Sequence, residues 1–260
     1  MVKRFFEQAW LYYKGQNSGF NFEEFILMKL MIPILTLIMY CIMASYGFNT
    51  NLLTYWVVGN SFLLCTNTCV FTLGTTFHGE RYYGRLRSLM VSPSSKLAAM
   101  IQKGLFPMIE SFISVMVGFI IGSFLFHVDL SHINIGLFLL LTLIAMFSAC
   151  SFGMILGILG VLTSEMHLLL NCMAYVLAIL TGANFPITML PNFVRVISNC
   201  IPLTRSIKAA NLLFTSNSSS QILNLMLSEV GLGVCYLFIS VSLLKVIEKM
   251  AIRNASLEIF

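Results

Sequence analysis

Apolar side chains along the chain gather into six runs of about 20 residues, the length a helix needs to cross a hydrocarbon layer. They cover residues 25–46, 52–77, 104–126, 135–162, 167–183 and 223–244. The first carries Lys29 near its start and Pro33 within it, the second has no formal charge, and the third contains Pro107. Neighbouring helices can satisfy the carbonyls a proline frees, so both prolines predict kinks and not ends. Ahead of these runs, residues 2–14 interleave Phe5, Phe6, Trp10, Tyr12 and Tyr13 with Lys3, Arg4, Glu7 and Lys14. That mixture predicts a helix lying in the membrane interface, rings at headgroup depth and cations reaching phosphate, with a loosely ordered aromatic leader as the other reading. The chain divides accordingly into an N-terminal interfacial segment (1–24), an all-α membrane domain of six transmembrane helices (25–247) and a tail (248–260).

Composition narrows the class further. Of 260 residues, 58% are apolar and 10% charged, against about a quarter charged in a soluble domain. With a mean hydropathy of +0.89, the chain cannot clothe a globular surface in polar groups, which leaves a polytopic membrane protein. All its Lys and Arg except Arg195, Arg205 and Lys208 precede the first run, begin it, fill the connection 78–103 or follow the last run. The positive-inside rule then places both termini in the cytoplasm, and six spans agree in parity. No signal peptide is expected, because no short apolar stretch follows Lys3 and Arg4. Of seven cysteines, only Cys200 falls outside the apolar runs, and none shows metal or redox spacing, so the rest read as buried filler.

Enzymatic constellations are missing from the sequence: no zinc helix, no nucleophile elbow and no phosphate loop. No catalytic or metal-ligating residue and no cofactor of its own is expected. His78 with Glu80, and Glu165 with His167, read as solvated helix caps. More specific is the basic segment 78–93, in which Leu86, Leu89 and Met90 share one helical face and Arg85, Arg87 and Ser88 lie off it. It predicts a short amphipathic helix at the cytoplasmic surface, docked into a partner or resting on anionic lipid. Within the second run, Asn60, Ser61, Asn67, Thr68 and Thr75 form a polar stripe. Helix-to-helix hydrogen bonding or a substrate path would account for it. Glu110, about 10 Å along the third span from Lys103, either snorkels to the interface or lines a polar cavity. Phe185 to Leu213 is too apolar for a solvated loop and too interrupted for a span, which suits re-entrant helices on the outer face. Arg195, Arg205 and Lys208 would there meet headgroups or an anionic substrate.

Glu80, Gly84, Leu86, Leu89, Ser92 and Pro93 resemble the Glu-x-x-x-Gly-x-Leu-x-x-Leu-x-x-Ser/Thr-Pro motif of the membrane subunits of type-2 ABC exporters. A second series, Gly182, Phe185, Pro186, Leu190, Pro191, Pro202, Leu203 and Thr204, is similar to that family's Gly-x-x-Phe-Pro, Leu-Pro and Pro-Leu-Thr motifs. The resemblance implies a permease at the plasma membrane, bacterial in type, that pairs with an identical or homologous permease and with two cytosolic ATPase subunits, which would bind ATP and Mg. Residues 78–98 would form the coupling loop, with Arg85 and Arg87 beside the motif residues on the ATPase. The second series would cap an exit gate, and Asn60, Asn67, Thr68, Thr75 and Glu110 would be candidates for the substrate path. Arg85, Arg87 and Lys208 depart from the family's usual uncharged or acidic residues, so the matching ATPase groove would be more acidic, or a heterodimer partner would keep the ordinary ones. An amphipathic or lipid-like cargo is implied: drug, antimicrobial peptide, lipid or lipid-linked glycan. From residues alone, a membrane scaffold or ATPase-independent carrier, and an intramembrane enzyme, stand as alternatives.

Overall fold

The computed structural model describes residues 2–19, 21–47, 53–82, 84, 95–128, 133–163, 165–184, 186–215 and 219–254. Arg85, Leu86, Arg87, Leu89, Ser92, Pro93 and Phe185 lie outside the described residues, as does the side chain of Asn67. Every regular element among the described residues is helical. Among the described residues, five helices are long and apolar enough to cross a membrane: Phe22–Tyr46, Leu53–Tyr82, Leu97–Phe126, Ile135–Leu159 and Ser220–Ile247. They are called spans one to four and the last span. The run expected at 167–183 is the helix Met166–Leu180, only 15 residues long. It stops because Gly182 takes a left-handed φ of 78°, the conformation that ends helices and that a side chain resists.

Span two forms the middle of the bundle. Of its most apolar stretch, 82% is buried, against 17% in span one. Val57, Val58, Phe62, Cys65, Cys69, Leu73 and Phe77 all turn into the core. Span four crosses it at Gly153 and Gly157, where an added Cβ would lie 2.0 Å from the Cys69 carbonyl oxygen and 2.6 Å from that of Leu73. Small residues four apart permit this backbone approach, the usual way membrane helices gain contact area without a hydrophobic driving force. The outer faces remain apolar, with Phe124, Ile120 and Phe238 all exposed, as lipid-facing surfaces must be.

Two spans depart from regular α-helix. Span one passes through Pro33 without ending, and a π-turn, Leu27–Met31, lies just ahead of it. Span two contains the π-helix Thr66–Thr72. π-Turns release carbonyls from the usual ladder, and the Thr72 carbonyl is taken up by the Thr75 and Thr76 hydroxyls and by Gln16 from the N-terminal helix. Pro107 sits inside the helix Lys96–Phe126, and its carbonyl accepts from the Ser111 hydroxyl. Cys41, Cys65, Cys69 and Cys150 are buried as expected, but Cys172 and Cys235 face outward from their helices.

Between Met166–Leu180 and the last span the chain forms a 3₁₀ turn, Ile187–Met189, and two short helices, Asn192–Asn199 and Thr204–Thr215. Pro186 and Pro191 stand at the N-caps of the first two. The second short helix packs on spans two and four and on the last span, burying Ile207, Ala209, Ala210 and Leu213.

Candidate functional site at the end of span two

The N-terminal helix Val2–Gln16 carries the rings that the sequence assigns to an interface, yet one face of it is docked on the bundle. Trp10 and Tyr13 lie 5.2 and 5.5 Å from the Phe106 ring. Tyr13 donates to Glu110 Oε2 at 3.0 Å, and Lys29 Nζ stands 3.1 Å from Glu110 Oε1. Lys29 also donates to the Thr72 hydroxyl at 2.7 Å, beside the Thr72 carbonyl that Gln16 holds at 2.5 Å. Glu110 therefore does not stand alone. Its charge is compensated by a lysine from span one, which is how an ionised side chain survives inside a membrane domain. Burial and the neighbouring Glu110 carboxylate, which accepts its hydrogen bond, push the Tyr13 phenol well up, so it stays a donor.

A second ion pair lies close by. Lys103 Nζ donates to Glu80 Oε2 at 2.5 Å, with the Lys103 side chain 1% and that of Glu80 10% exposed. The ammonium also stands over the rings of Phe77 at 4.5 Å and Tyr12 at 5.4 Å, a cation–π arrangement that favours its charge. Gln102 donates to Gln8, tying the same helix to the N-terminal one. Burial, followed by the Glu80 charge, raises the Tyr12 phenol above its usual value. Tyr12, Gln16, Thr75, Thr76, Glu80 and Lys103 line an open cleft of about 990 Å³.

Glu80 belongs to the first motif series, and its carboxylate turns inward. The end of span two is further tied to span four by the Arg81 guanidinium on the Val161 carbonyl and by His78 Nδ1, 3.3 Å from the Gly160 carbonyl. Gly84 then turns at φ 69°, its N–H on the Arg81 carbonyl at 3.0 Å. The chain thus enters the connection 85–94 from a root fixed on three sides.

The other predicted residues are spread more widely. Gly182 and Leu203 both have positive φ. Gly182 accepts from the Tyr55 hydroxyl at its carbonyl, and Ala183 is packed so tightly that a Cβ on Gly59 would lie 2.6 Å from its oxygen. Pro202, Leu203 and Thr204 are buried, while Leu190 is half-buried and accepts from Arg195. Lys208 is exposed, and Arg205 donates to the Ser228 carbonyl at 2.9 Å. The polar stripe on span two is buried at Asn60, Ser61 and Thr68. Its hydrogen bonds go mostly to its own helix: Asn60 to the Trp56 carbonyl, Ser61 to that of Val57, and Thr75 to those of Phe71 and Thr72. Sequence reasoning passed over Glu229, which is wholly buried in the last span. An acidic residue within an apolar run is the signal that would have found it.

The family model described as ABC-2 type transporter matches residues 8–214, and the chain belongs to that family. Its membrane domains are permease subunits, with ATP hydrolysis in a separate partner. No curated protein matches the chain.

Proposed function

We propose that this chain is the permease subunit of an ATP-driven exporter that moves an amphipathic or lipid-like substrate out of the cytoplasm or inner leaflet. Two cytosolic ATPase subunits bind ATP and Mg, and a second permease, identical or homologous, completes the membrane pore. Both termini lie in the cytoplasm of a plasma membrane, bacterial in type, and residues 186–215 form re-entrant helices on the outer side. The observation that carries this reading is the root of the connection 78–98. Glu80–Lys103, Arg81–Val161 and His78–Gly160 fix the end of span two, so a force applied to the connection is delivered to spans two, three and four together instead of being lost in a loose loop. Arg85 and Arg87 supply the contact, pairing with carboxylates on the ATPase.

Reversing both arginines to Glu, in cells that also express the ATPase encoded nearby, is expected to weaken co-purification while leaving membrane insertion intact. The purified permease alone is expected to hydrolyse no ATP. Normal assembly and ATPase stimulation by the double variant in low salt, where charge pairs are least screened, would overturn the coupling role of the arginines.

A further inference from the structure

Glu229 and Tyr236 lie seven residues apart on the last span, two turns and about 10 Å along one face of a helix. Both reach the turn 200–203 between the two short helices. The Tyr236 hydroxyl donates to the Cys200 carbonyl, and Glu229 Oε1 accepts from the Leu203 N–H at 2.9 Å. The same oxygen accepts from Ser148 of span four at 2.7 Å. In the proposed re-entrant segment this turn lies at membrane depth, without water for its peptide groups, and these two side chains serve as partners at its two ends.

The closed arrangement is also a costly one. Leu203 sits at φ 72°, a region that a branched side chain enters only when its surroundings hold it there. Glu229 Oε2, Thr204 Oγ1 and Ser206 Oγ are buried without hydrogen-bond partners. No contact ion pair reaches Glu229 among the described residues: the Arg205 guanidinium donates to the Ser228 carbonyl and acts on Glu229 only as a nearby charge. Moving the turn away would relax Leu203 and admit water to all three oxygens, which pays back much of the cost of breaking two hydrogen bonds. An element whose closed state is strained and whose open state is hydrated has two comparable arrangements.

We propose that Glu229 and Tyr236 are a two-point clamp that holds the turn 200–203 closed, and that its release lets the outer segment open. Both are positioning residues, and the proposal rests on the exporter reading. The test uses the full chain in lipid nanodiscs, its seven cysteines replaced, with either Ser206→Cys in the first turn of the helix that follows or Met154→Cys in span four as reporter. The rate of labelling by a membrane-impermeant thiol reagent is measured. Glu229→Ala, which removes a buried hydrogen bond to the turn, is expected to speed labelling at position 206 by about tenfold, and Tyr236→Phe, which removes an exposed one, by about threefold. Glu229→Gln, which still offers an oxygen to Leu203, is expected to restore the slow rate, and position 154 stays protected throughout. Unchanged labelling at 206, equal exposure of 154, or a Gln variant that behaves like Ala would overturn the clamp. Co-purification with an ATPase is scored on the same preparations, so a failure of the exporter reading is told apart from a failure of the clamp.

Discussion

Among the described residues, Glu80 and Glu110 at one place and Glu229 at another are largely withdrawn from solvent, and they are held in opposite ways. Near the N-terminal helix, Glu80 and Glu110 each face a lysine from another helix, at 2.5 and 3.1 Å. Glu229 has no lysine or arginine at contact: a backbone N–H and a serine hydroxyl donate to it, and the Arg205 charge acts on it only from a distance. Desolvating a charge costs several kcal/mol, and an opposite charge at contact recovers most of it. A paired carboxylate therefore fixes the helices that it joins, whereas one held by neutral groups can exchange them for water at modest cost. In the proposed exporter the difference would put rigidity at the end that meets the ATPase and mobility at the end where cargo leaves.

The contrast breaks most visibly at the deepest pair. Lys103→Met strands Glu80 and is expected to lower unfolding free energy by about 3–5 kcal/mol, read as a fall in thermal midpoint in detergent. Adding Glu80→Gln to it is expected to recover most of that loss, and a double variant no better than the single would deny the coupling. Next in size is a comparison of two identical substitutions. Glu110→Gln leaves Lys29 without its counter-charge and is expected to cost about 1.5–3 kcal/mol, whereas Glu229→Gln breaks no contact ion pair and should cost about 1 kcal/mol or less. Equal losses would erase the distinction between the two regions.

Two smaller effects sharpen it. Tyr13→Phe removes one donor from Glu110 and is expected to cost about 1 kcal/mol, seen as faster hydrogen exchange across residues 2–16. Thr75→Val is expected to change stability by less than about 0.5 kcal/mol, because its hydroxyl serves carbonyls of its own helix. Unaltered transport by that variant would remove Thr75 from the substrate path.

The long spans were legible because apolar runs of the right length have few other uses, and the observed helices follow them closely. The short fifth helix was read about one turn too long, since Gly182 ends it by conformation while hydropathy continues to Ala183. The polar stripe suggests bonds between helices or a substrate path, but hydroxyls and amides four residues from a carbonyl find it on their own helix first. Cys172 and Cys235 were read as buried because their runs are apolar, and in a membrane protein an apolar run has an apolar outside as well. Glu80 was visible as a motif residue, but its inward direction was not, because a motif fixes spacing and not the side of a helix that neighbours cover.

The sequence by itself determined a helical membrane protein, the approximate limits of its spans and the family to which it belongs. Hydropathy, helix length and motif spacing are local quantities, written in consecutive residues. Tertiary structure alone decided which lysine answers which glutamate, that the N-terminal helix closes over Glu110, and that Glu229 and Tyr236 meet the turn 200–203. Each of these joins residues between 23 and 97 positions apart. Partners at such distances are chosen by how helices cross, at contacts such as Gly153 on Cys69, and crossing geometry depends on both surfaces at once.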